Sequence, residues 1–547
     1  MKKPLIAPAF LFLMLYLVPL GARPLMIPDE TRYGEIPREM IATGDWIVPR
    51  LNGVRYFEKP VMGYWLNAGA IMLFGENAFA VRFPSALSVG ISALILFLLV
   101  RRFGGGTLTG LLTALVYITF LEVYAVGTFS VLDSLLSLFI TGAVGFFFFA
   151  YREENPAKMN VFLVLSGLSA GLAFLTKGFL AFALPLMAIA PFMIWEGRWK
   201  RMLRLCWIPL ITAFLVSLPW AVMMHLREPD FWKFFIWNEH IRRFMTDGAQ
   251  HKEAWWYFIL LLPGAALPWT VLFPSAISGL KRRHVKNSVI RFAACWFIFP
   301  FLFFSASSGK LLTYILPCFP PLAVLTAVGL RSAFENGRTR AFTIGAVLLT
   351  LFIAMLALAL PVVQVAGFHD IRPFAQTWKW SLVLAGLLTW ILLLLLSIRV
   401  PGHNRKITLF AVAPLFFLFS GHFLVPKQVV DRKAPGPFLI HHSRGVRPDT
   451  TLVTDEALVT AVCWFYKRSD VYVVENPGEL SYGLEHEGAK HRLLDMKQFR
   501  TLILKNQGTG RVTLFARGKT YKRWRQELPE PLFEERSSND GFVLAKF

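Results

Sequence analysis

Two adjacent carboxylates at the end of an apolar run are the first residues of this sequence that could do chemistry. Asp29 and Glu30 follow Pro28 in the segment IPDETRYGEIPREM, directly after a long hydrophobic stretch. The pair has a structural explanation, since acids cap helices and stabilise their positive ends. It also has a functional one, because a carboxylate at a membrane–water border can accept a proton or orient an acceptor. The residue types alone leave both explanations open.

Lysines occupy turns beside other apolar stretches. Glu58 and Lys59 precede a proline in YFEKP, and Lys177 lies in the tight turn TKG between two hydrophobic spans. Adjacent opposite charges commonly mark a solvated turn, and a lysine at the end of a span commonly extends its ammonium to the interface. A compact ammonium is also a good partner for a lipid phosphate. Lys59 and Lys177 are therefore candidate site residues.

Two later segments repeat this combination of charged and aromatic residues. WNEHIRRF contains Glu239, His240, Arg242 and Arg243, and SSGKLLTY contains Lys310 and Tyr314. Each segment alone could be a charged surface cluster. Together, cations in several loops on the same side of a membrane predict an anionic ligand on that side.

An acid inside an apolar run and a pair of metal-ligating residues complete the set of candidates. Asp133, in FSVLDSLL, lies just inside a hydrophobic span, where acids are costly and more often functional than incidental. Glu58 and His240 could share a divalent ion such as zinc, although two ligands from different loops are a weak indication. No other cofactor is indicated.

The motifs of several common enzyme classes do not occur. The sequence has no P-loop, no GxGxxG after a strand and no HExxH, which argues against soluble nucleotide and zinc-protease chemistry. Three of the four cysteines lie within or beside apolar runs, so a disulfide framework is not expected. The formal charge of +23 is spread between hydrophobic runs rather than over one soluble face, which argues against nucleic-acid binding.

The composition indicates that membrane helices position these candidates. Of the 547 residues, 55% are hydrophobic and only 17% are charged. About 20 apolar residues cross a hydrocarbon core of roughly 30 Å. Thirteen such spans are predicted, beginning near Leu5, Phe83, Leu108, Leu132, Val161, Phe179, Leu205, Trp255, Phe292, Leu311, Phe342, Trp378 and Ile407.

Basic residues in alternate loops predict the orientation of the spans. Arg101 and Arg102, the basic segment 198–204 and the basic segment 281–286 all fall in loops of one side. Such loops stay in the cytoplasm, so we expect a cytoplasmic N-terminus. The first apolar run lacks a convincing cleavage site and is expected to be retained as a helix. An odd number of spans then places the chain after about Pro426 on the outer side.

Two domains follow from this arrangement. Residues 1–425 are expected to form an all-α, polytopic membrane domain with long outer loops at about 21–80 and 225–254. The first of these loops contains helix-compatible segments suited to lie along the membrane interface. Residues 426–547 have strand-like runs separated by turns and helical stretches, which predicts a small soluble α/β domain on the outer side.

A resemblance to a known family rests on motifs that are densest in the outer loops. The chain contains PDETRYGEIPREM, GDWIVPRLNGVRYFEKPVMGYW, YAVGTFSVLDS, TKGFLA, REPDFWKFFIWNEHIRRF, DGAQHKEAWWYF and SGKLLTYIL. With these motifs, it resembles the bacterial lipid A aminoarabinose transferases, C-type glycosyltransferases related to protein O-mannosyltransferases. The resemblance covers most of the chain. One departure is Leu312, where relatives commonly have proline.

The resemblance implies a substrate pair and a set of site residues. It implies transfer of 4-amino-4-deoxy-L-arabinose from undecaprenyl phosphate to a lipid A phosphate on the periplasmic side of the bacterial inner membrane, where the C-terminal domain would also lie. This modification confers resistance to polymyxin and other cationic antimicrobial peptides. We expect a direct displacement with inversion at the sugar carbon. Asp29 takes the place of the catalytic carboxylate, and Asp133 and Lys177, which fall in matched motifs, are expected to be catalytic as well. The residues assigned to the carrier phosphate are Lys59, Arg243, Lys310 and Tyr314.

Two other functions remain open at this point. A related transferase could use another polyprenyl-linked sugar, or a protein hydroxyl as its acceptor. A flippase for lipid-linked sugars would be expected to have inverted repeats and broken helices near the membrane midplane. No such repeat is evident, and the candidate residues gather at the outer face.

Overall fold

Apolar helices form most of the chain up to residue 421. The computed structural model describes residues 6–237, 252–280, 287–366, 374, 376–485 and 488–547. Within these ranges eight helices are long and apolar enough to cross a membrane: Ala78–Phe103, Leu132–Arg152, Pro156–Lys177, Trp199–Arg227, Ser288–Ala306, Leu312–Glu335, Arg340–Val365 and Thr377–Arg399. The predicted all-α polytopic membrane fold is therefore confirmed.

Two further spans are broken, and their breaks touch. Gly106–Thr119 and Leu121–Gly127 meet at 64°, and Tyr257–Ala265 and Trp269–Gly279 meet at 95°. At the breaks, the backbone N–H of Leu121 donates to the carbonyl of Leu267 at 2.9 Å. Counting each pair as one span gives up to ten spans among the described residues.

Three of the thirteen predicted spans fall on shorter helices. These helical segments are Ile6–Phe12 with its π-helical continuation Leu13–Leu17, Leu180–Trp195, and the pair His403–Val412 and Leu415–Gly421. None of them is long enough to count as a span by itself. The count of thirteen stays a prediction.

The helices divide the candidate residues between the two ends of the bundle. The basic loops predicted to be cytoplasmic lie together, since Arg102 pairs with Glu153 at 2.8 Å and Arg291 pairs with Glu196 at 3.0 Å. The Leu132–Arg152 helix carries Asp133 in its first turn and ends at these loops. The candidate acids and lysines therefore lie at the opposite end from the basic loops.

The first outer loop folds into two helices and a hairpin. The helices are Asp29–Thr43 and Met62–Phe74. Between them, strands β1 (Arg50–Leu51) and β2 (Val54–Arg55) pair in antiparallel fashion around Asn52 and Gly53. Both turn residues have positive φ, at 56° and 70°. Asn-Gly is the sequence that such a two-residue turn favours.

The C-terminal region contains a six-stranded mixed sheet, as the strand-like runs predicted. Its strands are β3 (Thr451–Thr454), β4 (Tyr472–Val474), β5 (Leu493–Leu494), β6 (Val512–Arg517), β7 (Phe533–Arg536) and β8 (Phe542–Lys546). In the order β5-β4-β3-β6-β8-β7, the first four strands are parallel, and β8 pairs in antiparallel fashion with both β6 and β7. The helices of this region are Lys427–Lys433, Gly436–His441, Val459–Tyr466, Ser481–Leu484, Met496–Lys505 and Gly518–Trp524.

The C-terminal domain packs directly on the Asp29–Thr43 helix. A Cβ added to Gly34 of this helix would lie 3.1 Å from the Trp464 ring, so the domain approaches at a position without a side chain. One turn earlier, the hydroxyls of Thr31 and Thr460 are 2.7 Å apart. The first outer loop is therefore held between the membrane helices and the sheet domain.

Candidate active site

Asp29 and Glu30 are neighbours with different environments. The Glu30 carboxylate is fully buried and accepts hydrogen bonds from the Arg82 guanidinium at 2.6 and 2.7 Å. It also accepts from the Met26 backbone at 2.9 Å and pairs with Arg23 at 3.3 Å. Its oxygens are thus occupied by internal partners. Glu30 holds the start of the helix against the membrane span that carries Arg82.

The Asp29 side chain, in contrast, is 37% exposed. Its carboxylate accepts a hydrogen bond from Arg32, three residues further along the same helix. The Arg32 guanidinium also binds both carboxylate oxygens of Glu479, which comes from the C-terminal domain. The Tyr56 hydroxyl donates a hydrogen bond to the Glu479 carboxylate at 3.0 Å. The Asp29 carboxylate is therefore held in position by this side-chain network, and it does not cap its helix.

The surroundings of Asp29 change its proton affinity. Burial raises the pKa of the Asp29 carboxyl above its usual range, Arg32 opposes this shift, and the carboxylates of Glu479 and Asp133 reinforce it. The net pKa is raised, which makes the ionised group a better base than an ordinary aspartate. A partly exposed carboxylate with this property suits interaction with a bound reactant.

Three candidates from distant parts of the sequence meet beside Asp29. Lys177 donates to the Asp133 carboxylate at 2.8 Å, and both side chains are nearly buried, at 14% and 11% exposed. The Lys177 ammonium also lies 5.2 Å from the centre of the Tyr314 ring. Lys177 is therefore directed inward, toward an acid and an aromatic ring. An ordinary interfacial lysine extends toward water instead.

Lys59 lies next to the same network. Its ammonium donates to the Glu58 backbone carbonyl at 2.8 Å, and both side chains are half-buried. Burial raises the pKa of Glu479, but the nearby charges of Arg32 and Lys59 hold it below its ordinary value. Lys59 is thus close enough to act on the Arg32–Glu479 pair electrostatically.

Lys310 is engaged by backbone carbonyls. It is 3% exposed, and its ammonium donates to the carbonyl of Glu253 at 2.9 Å and to that of Ser307. Burial lowers the pKa of Lys310, while Glu253 opposes the shift. In this conformation Lys310 fastens two outer segments together. Its predicted contact with a carrier phosphate stays a prediction.

Two of the predicted site residues lie outside the described part of the chain. These are Arg243, assigned to the carrier phosphate, and His240, paired with Glu58 in the predicted metal site. Both assignments stay predictions.

Three members of the network are not among the candidates predicted from the sequence: Arg32, Tyr56 and Glu479. Arg32 could have been found, because an acid and an arginine three residues apart on a helix are natural partners. Tyr56 lies two residues before Glu58 in a motif that was already selected. Glu479 carries no comparable signal, since its partner Arg32 is 447 residues away.

Replacing Lys177 with methionine should lower turnover by about 100-fold, because Asp133 loses its counter-charge and the site loses a cation. Lys177→Arg should recover part of the rate. Lys379→Met is a matched control, since Lys379 lies over the ring of its exposed neighbour Trp378. The check is a steady-state rate in detergent. Equal rates for Lys177→Met and wild type would mean that Lys177 has only a structural role as the partner of Asp133.

Glu479→Gln should lower kcat/KM roughly 10-fold while changing the melting temperature little. The substitution keeps the shape of the side chain but weakens its hold on Arg32, which positions Asp29. Glu475→Gln provides a control in the same domain, where Glu475 pairs with Arg523 at 2.6 Å on the surface. If both variants keep full activity, the C-terminal carboxylate has no part in the reaction.

Known families match both parts of the chain. Residues 4–235 match the dolichyl-phosphate-mannose-protein mannosyltransferase family, and residues 430–545 match the arabinosyl transferase ArnT C-terminal domain. The undecaprenyl phosphate-alpha-4-amino-4-deoxy-L-arabinose arabinosyl transferase of Shewanella sediminis is 41% identical over 544 residues, covering 99% of this chain and 97% of the relative. The enzyme of the same name from Aeromonas salmonicida is 38% identical over 507 residues, covering 92% of each chain.

A solved structure has the same fold along almost the whole chain. The crystal structure of ArnT from Cupriavidus metallidurans bound to undecaprenyl phosphate superposes with a TM-score of 0.84. The superposition covers 99% of this chain and 97% of the chain in the solved structure, and the two sequences are 23% identical. This similarity confirms the fold, and the sequence identity to the curated relatives confirms the family. The chain belongs to the undecaprenyl phosphate-alpha-4-amino-4-deoxy-L-arabinose arabinosyl transferases, which are glycosyltransferases.

Proposed function

We propose that this chain transfers 4-amino-4-deoxy-L-arabinose from undecaprenyl phosphate to a phosphate group of lipid A, with inversion at the sugar carbon. The observation that carries the proposal is the partly exposed Asp29 carboxylate. Arg32 binds it close to the Asp133–Lys177 pair. The names of the relatives supply the donor. The acceptor follows from the family resemblance, which implies a lipid A phosphate.

The bond to be broken joins the sugar to a phosphate, so the reaction requires stabilisation of the charge on the departing phosphate. Lys59 and Lys177 bring ammonium groups to the network around Asp29. Cations in a partly dehydrated cavity stabilise such charge more strongly than they do in water. We assign Lys59, Tyr314 and Arg243 to the carrier phosphate, and Lys177 to the same side of the reacting sugar.

Asp29 then acts on the acceptor. A phosphate monoester has a second pKa near 6 and is largely ionised at neutral pH, so it needs little help from a base. The principal task of Asp29 is therefore to orient the acceptor and to take up a proton when the phosphate still carries one. A protein hydroxyl, which is far less acidic, would depend on this carboxylate entirely.

The location completes the proposal. We place the chain in the bacterial inner membrane with the N-terminus in the cytoplasm and the site and sheet domain in the periplasm. The support is the basic loops at one end of the bundle and the site at the other. Both lipid substrates could then reach the site from the membrane without crossing it.

Reconstitution of the purified chain in liposomes tests the function. The liposomes contain the aminoarabinose-linked undecaprenyl phosphate and lipid A, and mass spectrometry detects a new lipid A species. A matched reaction replaces lipid A with a serine- and threonine-rich peptide. Modified lipid A is the expected product. Modified peptide in place of modified lipid A would refute the lipid acceptor. The sugar assignment would be refuted if the enzyme left the aminoarabinose donor unused but used another carrier-linked sugar.

Transport requires a separate measurement, because broken spans that meet are also a feature of carriers. Here the two broken spans meet at Leu121 and Leu267. Labelled donor enclosed in the liposomes would report movement across the bilayer. Movement without a new glycosidic bond would contradict the transferase assignment.

A further inference from the structure

Two histidines and a glutamate come together in the C-terminal domain. His441 ends the Gly436–His441 helix, His442 follows it, and Glu535 lies on the edge strand β7. Each offers one ligand atom, and the three atoms lie within 4.8 Å of one another. None of these residues belongs to the network around Asp29.

The His442 imidazole is the unusual member of this cluster. Its side chain is only 10% exposed, and its Nε2 atom is buried without a hydrogen-bond partner among the residues that the structure describes. The Phe438 ring packs against it at 4.7 Å between ring centroids. A buried polar nitrogen without a partner is destabilising, so its presence indicates a partner of another kind.

The distance from His442 to Glu535 fits a shared ion better than a direct hydrogen bond. Nε2 of His442 and Oε1 of Glu535 are 3.5 Å apart. A hydrogen bond between such atoms is usually 2.7–3.2 Å long. Two ligands that bind zinc at about 2.0–2.1 Å with tetrahedral geometry lie roughly 3.3 Å apart. His441 is exposed and could turn toward the same point without disturbing the core.

We propose that His441, His442 and Glu535 form a binding site for a divalent cation of the zinc type. Two imidazoles and a carboxylate are a common zinc donor set, with water in the fourth position. The ammonium of Lys546, which lies nearby, donates to the Gly445 carbonyl at 3.3 Å.

The bound ion would connect two elements that the backbone leaves separate. The helix Gly436–His441 belongs to the segment that leads from the membrane domain into the sheet, whereas β7 is an outer strand. A metal ion between them would fix this segment against the sheet edge and stabilise the domain. The site is structural and independent of the transferase reaction.

The test uses the full-length chain in detergent, with Zn²⁺ alone as the probe. The background is a His240→Ala variant, which removes the other metal site predicted from the sequence. After treatment with a chelator and reloading, bound zinc is counted by elemental analysis, and the melting temperature is measured with and without Zn²⁺. We expect one bound zinc per chain and a higher melting temperature with zinc.

The variants separate this site from general binding. His442→Ala and Glu535→Gln should lose the bound zinc and the zinc-dependent rise in melting temperature. His491→Ala, which replaces an exposed histidine of the same domain, should lose neither. An unchanged melting temperature in the absence of zinc, and an unchanged elution volume in size-exclusion chromatography, show that the variants are folded. Zinc binding that is equal in all variants, or no bound zinc in the parent, would overturn the proposal.

Discussion

Asp29→Asn should lower the turnover of lipid A modification by about 100-fold without abolishing it. Asparagine keeps the size of the side chain but loses its charge and its ability to take up a proton. The residual rate is expected because a phosphate acceptor is already ionised at neutral pH. The measurement is the initial rate with purified lipid substrates, under conditions where the carrier saturates the enzyme.

The pH profile separates this role from a purely structural one. The pKa of Asp29 is raised by burial, so the wild-type rate should begin to fall at a higher pH than an ordinary aspartate would allow, as the carboxylate becomes protonated. The Asn variant cannot titrate at this position. The ratio of wild-type to variant kcat/KM should therefore rise with pH through this range. A constant ratio would contradict the proposed role of the charge.

The acceptor decides how severe the loss is. With a phosphate acceptor some turnover remains, whereas a serine or threonine hydroxyl would depend on Asp29 for deprotonation. A variant with no detectable product would therefore favour a hydroxyl acceptor. The same protein preparation can be tested with both acceptors, so the two possibilities are compared directly.

Arg82→Met should destabilise the protein by about 3–5 kcal/mol, because the Glu30 charge would remain buried without its principal partner. The Arg82 guanidinium also binds the carbonyls of Leu20, Arg23 and Pro24, each at 2.9 Å. The substitution leaves these acceptors unsatisfied as well. Chemical unfolding in detergent micelles, followed by tryptophan fluorescence, measures the loss.

A double variant controls for the size of the substitution. Glu30→Met combined with Arg82→Met removes both charges and should recover part of the lost stability. If the double variant is no more stable than Arg82→Met, an unpaired charge is not the cause of the loss. Asp29→Asn in the same assay should unfold close to the wild type, since its side chain is partly in solvent.

The membrane fold could be predicted because its cause is local. Each long apolar run can satisfy its backbone hydrogen bonds only by forming a helix in the bilayer, so composition along the chain is sufficient. The breaks within the two bent spans were harder to predict from the sequence. Hydropathy is continuous through Phe120, where the chain adopts an extended backbone conformation between two helices. The resulting number of spans depends on packing between distant segments.

The site could be predicted only in part. Asp133 was selected because acids are costly inside an apolar run, and Lys177 because its ammonium suits a lipid phosphate. The structure places the two side chains in contact. Lys310 looked equivalent to Lys177 in the sequence, but its ammonium binds loop carbonyls. The contribution of Glu479 depends on how a separate domain docks. No local pattern reports such docking.

The close packing of Trp464 on Gly34 limits how the two domains can be exchanged between relatives. The glycine and the indole are complementary, because any side chain at position 34 would meet the ring. A chimera that takes its C-terminal domain from a relative therefore also needs that relative's Asp29–Thr43 helix. The helix and the domain would have to be exchanged together, because Ile36 and Met40 share one hydrophobic core with Leu458 and Val462.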